Sequence, residues 1–265
     1  METLRVYWQF QRLAMRGRMQ YKADFLIGIL SVIFLNAVNL ALLGTLATRF
    51  KSIGGWSLWE MVFLYSIWML GHSLYSLLFW HFRRLDQFIV MGQLDRFMVR
   101  PAGVLLQYLA QGIQYIGVGD VAVGIGGIWL SYTNLGLHWG AGRWLLLLLF
   151  VLAGAAVETG LMWLLGSIAF WAVRAQAAFQ IASTFNNLVQ QYPIEVFGNW
   201  FRVAVTGLLP FAFMNYYPAL VLLDKAPAGA VPWYAYLSPL VAVAMLGLSY
   251  GVWCVGLNRY GGTGS

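Results

Sequence analysis

Two carboxylates lie inside long apolar runs of this sequence, Asp120 in residues 102–132 and Glu158 in residues 144–173. A carboxylate in the hydrocarbon of a membrane costs about 2.5 to 3.5 kcal/mol on insertion scales, so each one invites a functional explanation. One hypothesis is a membrane-embedded enzyme or scaffold that uses them. The competing interpretation is that both are buried against hydroxyl groups or backbone inside a helical bundle.

Two further stretches carry polar side chains where an apolar surface would be expected. The first set has mixed polar and aromatic character, and the second recurs at helical spacing, so that it would form a stripe along one helix. Such a stripe would leave polar groups unsatisfied if it faced lipid, so it should face a partner or a wet cavity. Packing between helices through side-chain amides is the alternative. The two sets are Tyr65, Ser66, Trp68, His72 and Tyr75, and Ser183, Asn186, Asn187 and Gln190.

The usual chemical motifs are absent from the sequence. A nucleotide-binding loop needs a glycine, four residues and then Gly-Lys-Ser/Thr, and none of the three lysines follows such a pattern. The three histidines are far apart, with no His-Glu-x-x-His helix and no Gly-x-Ser-x-Gly elbow. We therefore expect no catalytic site, no metal site and no cofactor on this chain. The single cysteine, Cys254, excludes a disulfide framework.

The composition excludes a soluble domain. Charged residues make up 9% of the 265 positions, against about 25% in soluble domains. Apolar residues make up 61% and come in runs of about twenty, the length needed to cross a bilayer core of roughly 30 Å. The net charge of +7 comes from basic residues that flank these runs, as orientation signals do, so we expect no nucleic acid partner.

The apolar runs predict an all-α polytopic membrane protein with six spans. One crossing must lie between residues 174 and 233, but its position is open: residues 175–192 are polar for a span, whereas residues 203–223 are apolar but broken by two prolines. Either choice places both termini on one side, together with eleven of the sixteen basic residues. The positive-inside rule makes that side the cytoplasm. The other five spans are predicted at residues 25–48, 61–80, 102–132, 144–173 and 233–257.

Two amphipathic segments accompany the spans. Residues 4–19 alternate apolar and basic faces at helical spacing, which indicates a helix lying in the membrane surface. Residues 83–101 contain two short amphipathic stretches, separated by Gly92 and ended by Pro101. Such a helix-turn-helix could dock on a partner, or it could be a surface loop that connects two spans. Its apolar faces are Leu85, Phe88 and Ile89, and then Leu94, Phe97 and Met98.

Three blocks of sequence resemble the ABC-2 type permeases, and most closely the branch called ABC-2 family transporter protein. The blocks occur in the same order as in the family and together span most of the chain. They are SIGGWSLWEMVFLYSIWMLGHSLY (52–75), FRRLDQFIVMGQLDRFMVRP (82–101) and LLPFAFMNYYPALVLL (208–223).

The resemblance implies a transmembrane subunit of an ATP-driven exporter in the bacterial plasma membrane. Its expected fold is the six-span type V (ABCG-like) exporter fold, here as a single domain over residues 1–265. Within it, residues 1–23 would be a connecting helix and residues 83–101 a cytoplasmic coupling helix. Residues 194–232 would form external re-entrant helices, which makes residues 175–192 the fifth span.

The resemblance also implies partners and residue roles. ATP and Mg would be bound by a separate ATPase, present in two copies, and a second permease would be a homologous chain in preference to an identical one. The substrate would be lipid-like, a glycolipid or an amphipathic drug-like molecule. The polar sets of the second and fifth spans would line the path. Contact with the ATPase would involve Arg84, Asp86, Phe88, Leu94, Asp95, Arg96 and Phe97.

Overall fold

A computed structural model describes residues 22–49, 52–101, 103–110, 114, 117–172, 176–225 and 231–260. The chain is all-helical over these residues, with 83% helix and no strand, which confirms the predicted class. The predicted connecting helix of residues 1–23 lies outside the described part, apart from its last two positions, which begin the first helix described.

Eleven α-helices follow one another along the described residues. Short 3-10 turns join several of them, and α9 continues as a π-helical turn over Ala204–Leu208. The helices are α1 Lys22–Arg49, α2 Leu58–Phe79, α3 Leu85–Val90, α4 Asp95–Met98, α5 Val104–Leu109, α6 Gly117–Asn134, α7 Ala141–Ser167, α8 Gln176–Gln191, α9 Asn199–Val203, α10 Tyr216–Leu222 and α11 Ser238–Arg259.

Four helical stretches of the described residues are long and apolar enough to cross a membrane. They lie in α1, in α2 with its extension to Val90, in α7 and in α11. A fifth is added if the helical pair 199–208 and 211–222, bent by 75°, is one broken span. These four or five candidates support a multi-pass membrane protein, and the six-span topology stays a prediction.

The predicted span at residues 102–132 is not one continuous helix. A separate short helix, α5, occupies its first part, and α6 begins only at Gly117. The apolar run was unbroken by charge before Asp120, so hydropathy alone did not detect the interruption. The helix that remains, α6, has 18 residues and is not among the four span candidates.

The helix α2 lies at the centre of the bundle. Every residue from Met61 to Met69 is buried, because α2 packs against α6 on one side and α7 on another. Small residues on α6, among them Gly124 and Gly127, let the two backbones approach closely. On the far side of α7 lies α11, whose buried residues recur every three or four positions, as one packed helix face requires. By contrast, α1 contacts the bundle mainly through α6 and is otherwise exposed.

The start of α2 is tied to the end of α10. Ser57 caps α2 in a capping box with Glu60, whose carboxylate accepts from the Ser57 N–H at 2.7 Å. The ammonium of Lys225, just after α10, donates to the same carboxylate at 2.9 and 3.0 Å and lies 5.1 Å from the centre of the Trp56 ring. One carboxylate therefore caps a helix and holds a distant part of the chain against it.

The segment between α8 and α11 folds back on itself near Pro210. Asn215, in the second half of the bent pair, donates its amide to the backbone oxygen of Val189 in α8 at 2.9 Å, and Tyr216 donates its hydroxyl to Glu195. These bonds hold the bent pair against the end of α8. The 75° bend is compatible with the predicted re-entrant helices and also with a broken span.

Candidate functional site

Side chains from five helices form hydrogen bonds around the middle of α2. We call this group the polar core, and α2 contributes a residue to each of its three branches. Its members are Asn36 of α1, Tyr65, Trp68 and His72 of α2, Asp120 of α6, Glu158 of α7 and Asn186 of α8.

The first branch holds Asp120. The side-chain amide of Asn36 donates to Asp120 Oδ1 at 2.9 Å and to the backbone oxygen of Val32 at 3.0 Å. Its oxygen accepts from the hydroxyl of Tyr65 at 2.6 Å. Because all three side chains are buried, this chain of bonds orders the carboxylate and connects α1, α2 and α6.

The second branch holds Glu158, which is only 1% exposed. His72 Nδ1 lies 2.8 and 3.1 Å from its two carboxylate oxygens. A protonated imidazole in this position compensates the buried negative charge directly. Both intramembrane carboxylates are thus buried in the bundle, but their partners are an imidazole and an amide, not hydroxyl groups or backbone.

A ladder of aromatic rings runs along α2 and past its end. Trp68 and His72 are stacked, with ring centres 4.6 Å apart and planes inclined by 10°. Tyr75 follows at 5.8 Å from His72, and Trp80 at 6.2 Å from Tyr75. The guanidinium of Arg83 then lies 5.4 Å from the centre of the Trp80 ring. This aromatic ladder connects the polar core to the segment that follows α2.

The third branch joins the two predicted polar stripes. Trp68 Nε1 donates to Asn186 Oδ1 at 2.9 Å, which ties α2 to α8. Gln190 is also buried, whereas Ser183 is half-buried and Asn187 is exposed. One edge of the α8 stripe therefore packs within this chain, and the other edge is exposed.

The remaining α2 residues predicted for the path are buried within this chain. Ser66 lies against Gly127 of α6 and donates to the backbone oxygen of Val62 at 2.6 Å. Tyr75 is 1% exposed. The structure therefore brings Tyr65, Trp68 and His72 into the polar core and places Ser66 and Tyr75 in helix packing. The path itself stays a prediction.

A cavity of about 290 Å³ opens between α1, α2 and α6, beside the polar core. We call it the α1 cavity. Sequence reasoning did not identify Asn36, which lines this cavity. The sequence feature that could have revealed it is an amide side chain within a 24-residue run without charge. The lining residues are Val32, Leu35, Asn36, His72, Ser76, Trp80, Gln114 and Asp120.

Residues 83–101 contain the two predicted short helices. They are α3 and α4, joined by a turn in which Gly92 has a φ of +64°, a conformation that glycine adopts without strain. The apolar face of α3 and the residue that precedes α4 point into this chain: Leu85, Ile89 and Leu94 are buried, whereas Met98 of the second predicted face is exposed.

The side chains predicted to contact the ATPase divide into three groups by exposure. Phe88 and Phe97 are half-buried and stack on each other, with ring centres 6.0 Å apart, and Asp95 is also half-buried. Arg84 and Arg96 are exposed. In the buried group, Leu94 has no exposed surface, and Asp86 accepts from the Gln87 N–H at 2.8 Å.

An apolar edge of the same segment faces away from the chain. It consists of Val90, Met91, Met98 and Val99, and Val99 is 85% exposed. Sequence reasoning assigned the contact to the periodic apolar faces and missed this edge, except for Met98. The sequence feature that could have revealed this edge is the pair of apolar residues at the end of each short helix, outside the buried face.

The helix α7 approaches the start of this segment very closely. A Cβ atom added to Gly166 would lie 2.9 Å from the carbonyl oxygen of Phe82 and 2.8 Å from Cβ of Leu85. Only glycine fits there without displacing a neighbour, so the position of the segment is set by a tight contact with α7. A second cavity lies on the other side of the segment, lined by Trp80, Arg83, Arg84, Asp86, Gln87, Gln176, Phe179 and Gln180.

Comparison with known proteins identifies the family. No curated protein and no solved structure matches the sequence. The family model described as ABC-2 family transporter protein matches residues 33–264, which include the polar core and the apolar edge. That family is a transport component and not itself catalytic, so the hypothesis of an intramembrane enzyme has no support from it. The chain belongs to the ABC-2 family transporter proteins, as a permease that works with an ABC ATPase.

Proposed function

We propose that this permease exports a lipid-like, glycolipid or amphipathic substrate across the bacterial plasma membrane, by alternating access driven by a separate ATPase. The observation that carries the proposal is the segment of α3 and α4. It continues directly from the central helix α2, packs its inner face on this chain and leaves the apolar edge exposed. Exposed apolar surface at one site commonly marks a contact with a partner.

The proposed coupling begins at the apolar edge. Met91 and Val99 contact the ATPase, and Arg84 and Arg96 set the register through charge. The two short helices are held together on the inner side of the segment by Leu94 and by the stacked pair Phe88 and Phe97. A displacement of this unit passes to α2 through the turn Trp80–Arg84.

The proposed assembly has two ATPase copies and two permeases, the second a homologous chain. Both termini and the segment of α3 and α4 are cytoplasmic, and residues 194–232 are external and re-entrant. The exposed edge of α8, with Asn187 and Ser183, then faces the second permease or the path. The buried edge, with Asn186, keeps α8 attached to α2.

The coupling proposal is tested by co-expression with the cognate ATPase. We expect the purified permease to bind no ATP alone and to form a stable complex with the ATPase. Val99→Ser combined with Met91→Ser should weaken that complex by about tenfold or more, since an anchor residue contributes about 2 kcal/mol. Val243→Ser on α11, which removes a side chain that is 69% exposed elsewhere, is the matched control. Equal retention of the ATPase by both variants would contradict the proposed contact.

The path is tested separately with a single cysteine at Asn187, in a Cys254→Ser background. If α8 lines the path, a water-soluble thiol reagent should react with it to a degree that depends on bound nucleotide. A cysteine at Ser66, buried against α6, is the control that should stay unreactive in every state. Protection of position 187 in all states, with transport intact in Asn187→Leu, would reject the path assignment.

A further inference from the structure

The two carboxylates of the polar core differ in how their charge is compensated. Glu158 has an imidazole against both of its oxygens. Among the described residues, Asp120 accepts one side-chain hydrogen bond, from the neutral amide of Asn36, and the imidazole of His72, which lines the same cavity, is hydrogen-bonded to Glu158 instead. A buried carboxylate with a single neutral donor is poorly stabilised as an anion, so the site around Asp120 favours the arrival of a positive charge.

The α1 cavity gives such a charge a place to bind. Asp120 is 7% exposed, and it lines the cavity together with Ser76 and Trp80. A carboxylate, a hydroxyl and an indole face are the groups that bind an ammonium, through hydrogen bonds and a cation–π contact. The guanidinium of Arg83 lies over the Trp80 ring, and Arg83 lines the second cavity and not this one.

The outer wall of the cavity is apolar and belongs to α1. Val32 and Leu35 form it, and Leu35 is 62% exposed, so the cavity reaches the surface on the side where α1 is otherwise uncovered. Its volume of about 290 Å³ is at the lower limit of the roughly 300 to 1,000 Å³ of small-molecule sites. It can therefore hold a head group and the beginning of a chain, while the rest of the chain must extend along α1 into the lipid.

We propose that the α1 cavity binds the ammonium group of an amphipathic amine, with Asp120 as its acceptor. Asn36 and Tyr65 are positioning residues, because their bonds fix the carboxylate without contacting the amine. The apolar chain of the ligand lies against Leu35. This binding requires neither the ATPase nor a direction of transport. The result of a binding experiment is therefore independent of whether the proposed export function is correct.

The proposal is tested with the full chain in phosphatidylcholine nanodiscs and tritiated dodecylamine near neutral pH. We expect a saturable component of binding above that of empty discs, which unlabelled dodecylamine displaces and dodecanol does not. Asp120→Asn should weaken it by about tenfold or more, since it removes a buried charge partner. Asp224→Asn, an exposed carboxylate that pairs with Arg143 outside the cavity, should bind as the unmodified chain does.

A second variant keeps the test decisive if Asp120→Asn fails to fold. Leu35→Trp starts from an exposed position, so it leaves the core intact, and it should block the mouth of the cavity and abolish saturable binding. Unchanged binding in either folded variant, or equal displacement by dodecanol, would overturn the proposal.

The source of the amine is separated by the lipid. Phosphatidylethanolamine carries a primary ammonium, whereas the quaternary head group of phosphatidylcholine cannot donate a hydrogen bond. If discs containing phosphatidylethanolamine suppress dodecylamine binding to the unmodified chain, the ligand is an aminophospholipid. If they do not, the site takes a free amphipathic amine, and the assignment of Asp120 holds in both cases.

Discussion

Replacement of Gly166 by alanine tests whether the close contact between α7 and residues 82–85 sets the position of the proposed coupling segment. The new Cβ would lie 2.8 Å from Cβ of Leu85 and 2.9 Å from a backbone oxygen, whereas ordinary contact begins at 3.4 Å. Leu85 and Phe82 are both buried, so they can yield by the required half ångström or so only if the segment moves. Overpacking of this kind costs about 1 to 3 kcal/mol.

The matched control is Gly142→Ala on the same helix, where an added Cβ meets nothing within 4 Å. Gly142 and Gly166 are each the second residue from an end of α7, so both substitutions gain less than the roughly 1 kcal/mol by which alanine exceeds glycine in a helix interior, and the comparison largely removes this gain. Gly166→Ala should therefore be less stable than Gly142→Ala by about 1 to 3 kcal/mol. Unfolding in mixed micelles, followed by tryptophan fluorescence, gives the difference, and stimulation of the ATPase by each variant gives its functional effect. Equal stability of the two variants would refute the tight contact.

Three further substitutions test individual contacts by the same unfolding assay. Lys225→Met leaves the carboxylate of Glu60 without its ion-pair partner, in a site where both side chains are about one-fifth exposed. It should therefore lower the free energy of unfolding by about 1 to 3 kcal/mol, and adding Glu60→Gln should recover part of this loss. Asn186→Leu removes the acceptor of Trp68 Nε1 and should cost about 0.5 to 2 kcal/mol; no loss would mean that the bond between α2 and α8 is unimportant. Ser57→Ala removes the cap of α2 and should cost about 1 kcal/mol, whereas Ser57→Thr should not.

Much of the fold was predictable because it depends on local composition. The run predicted at residues 61–80 corresponds to α2 at Leu58–Phe79, since a long apolar stretch ends where charge begins. Gly92 correctly marked the turn between two short helices, because its positive φ is a local requirement. The family was identified by the resemblance of three blocks of sequence to a known family, and the match over residues 33–264 confirms that family.

What could not be predicted depends on contacts between distant residues. The bond between Asn36 and Asp120 joins positions 84 apart, and nothing local to either residue selects the other. The amphipathic pattern of residues 85–98 indicated one apolar face per helix, but a pattern cannot tell whether that face meets its own chain or a partner. In the structure Leu94 faces inward, and the exposed surface belongs to Val99, which the periodic faces did not include.

The aromatic ladder restricts how α2 can respond to a partner. Each ring from Trp68 to Trp80 contacts the next, so a single ring cannot change rotamer without displacing its neighbours. Aromatic side chains also have only two rotatable bonds, so a displacement at one end of the ladder cannot easily be taken up by local side-chain rearrangement. A movement at Arg83 should therefore reach His72 as a shift of the whole helix, which would change the contact of His72 with Glu158 and that of Tyr65 with Asn36 at the same time.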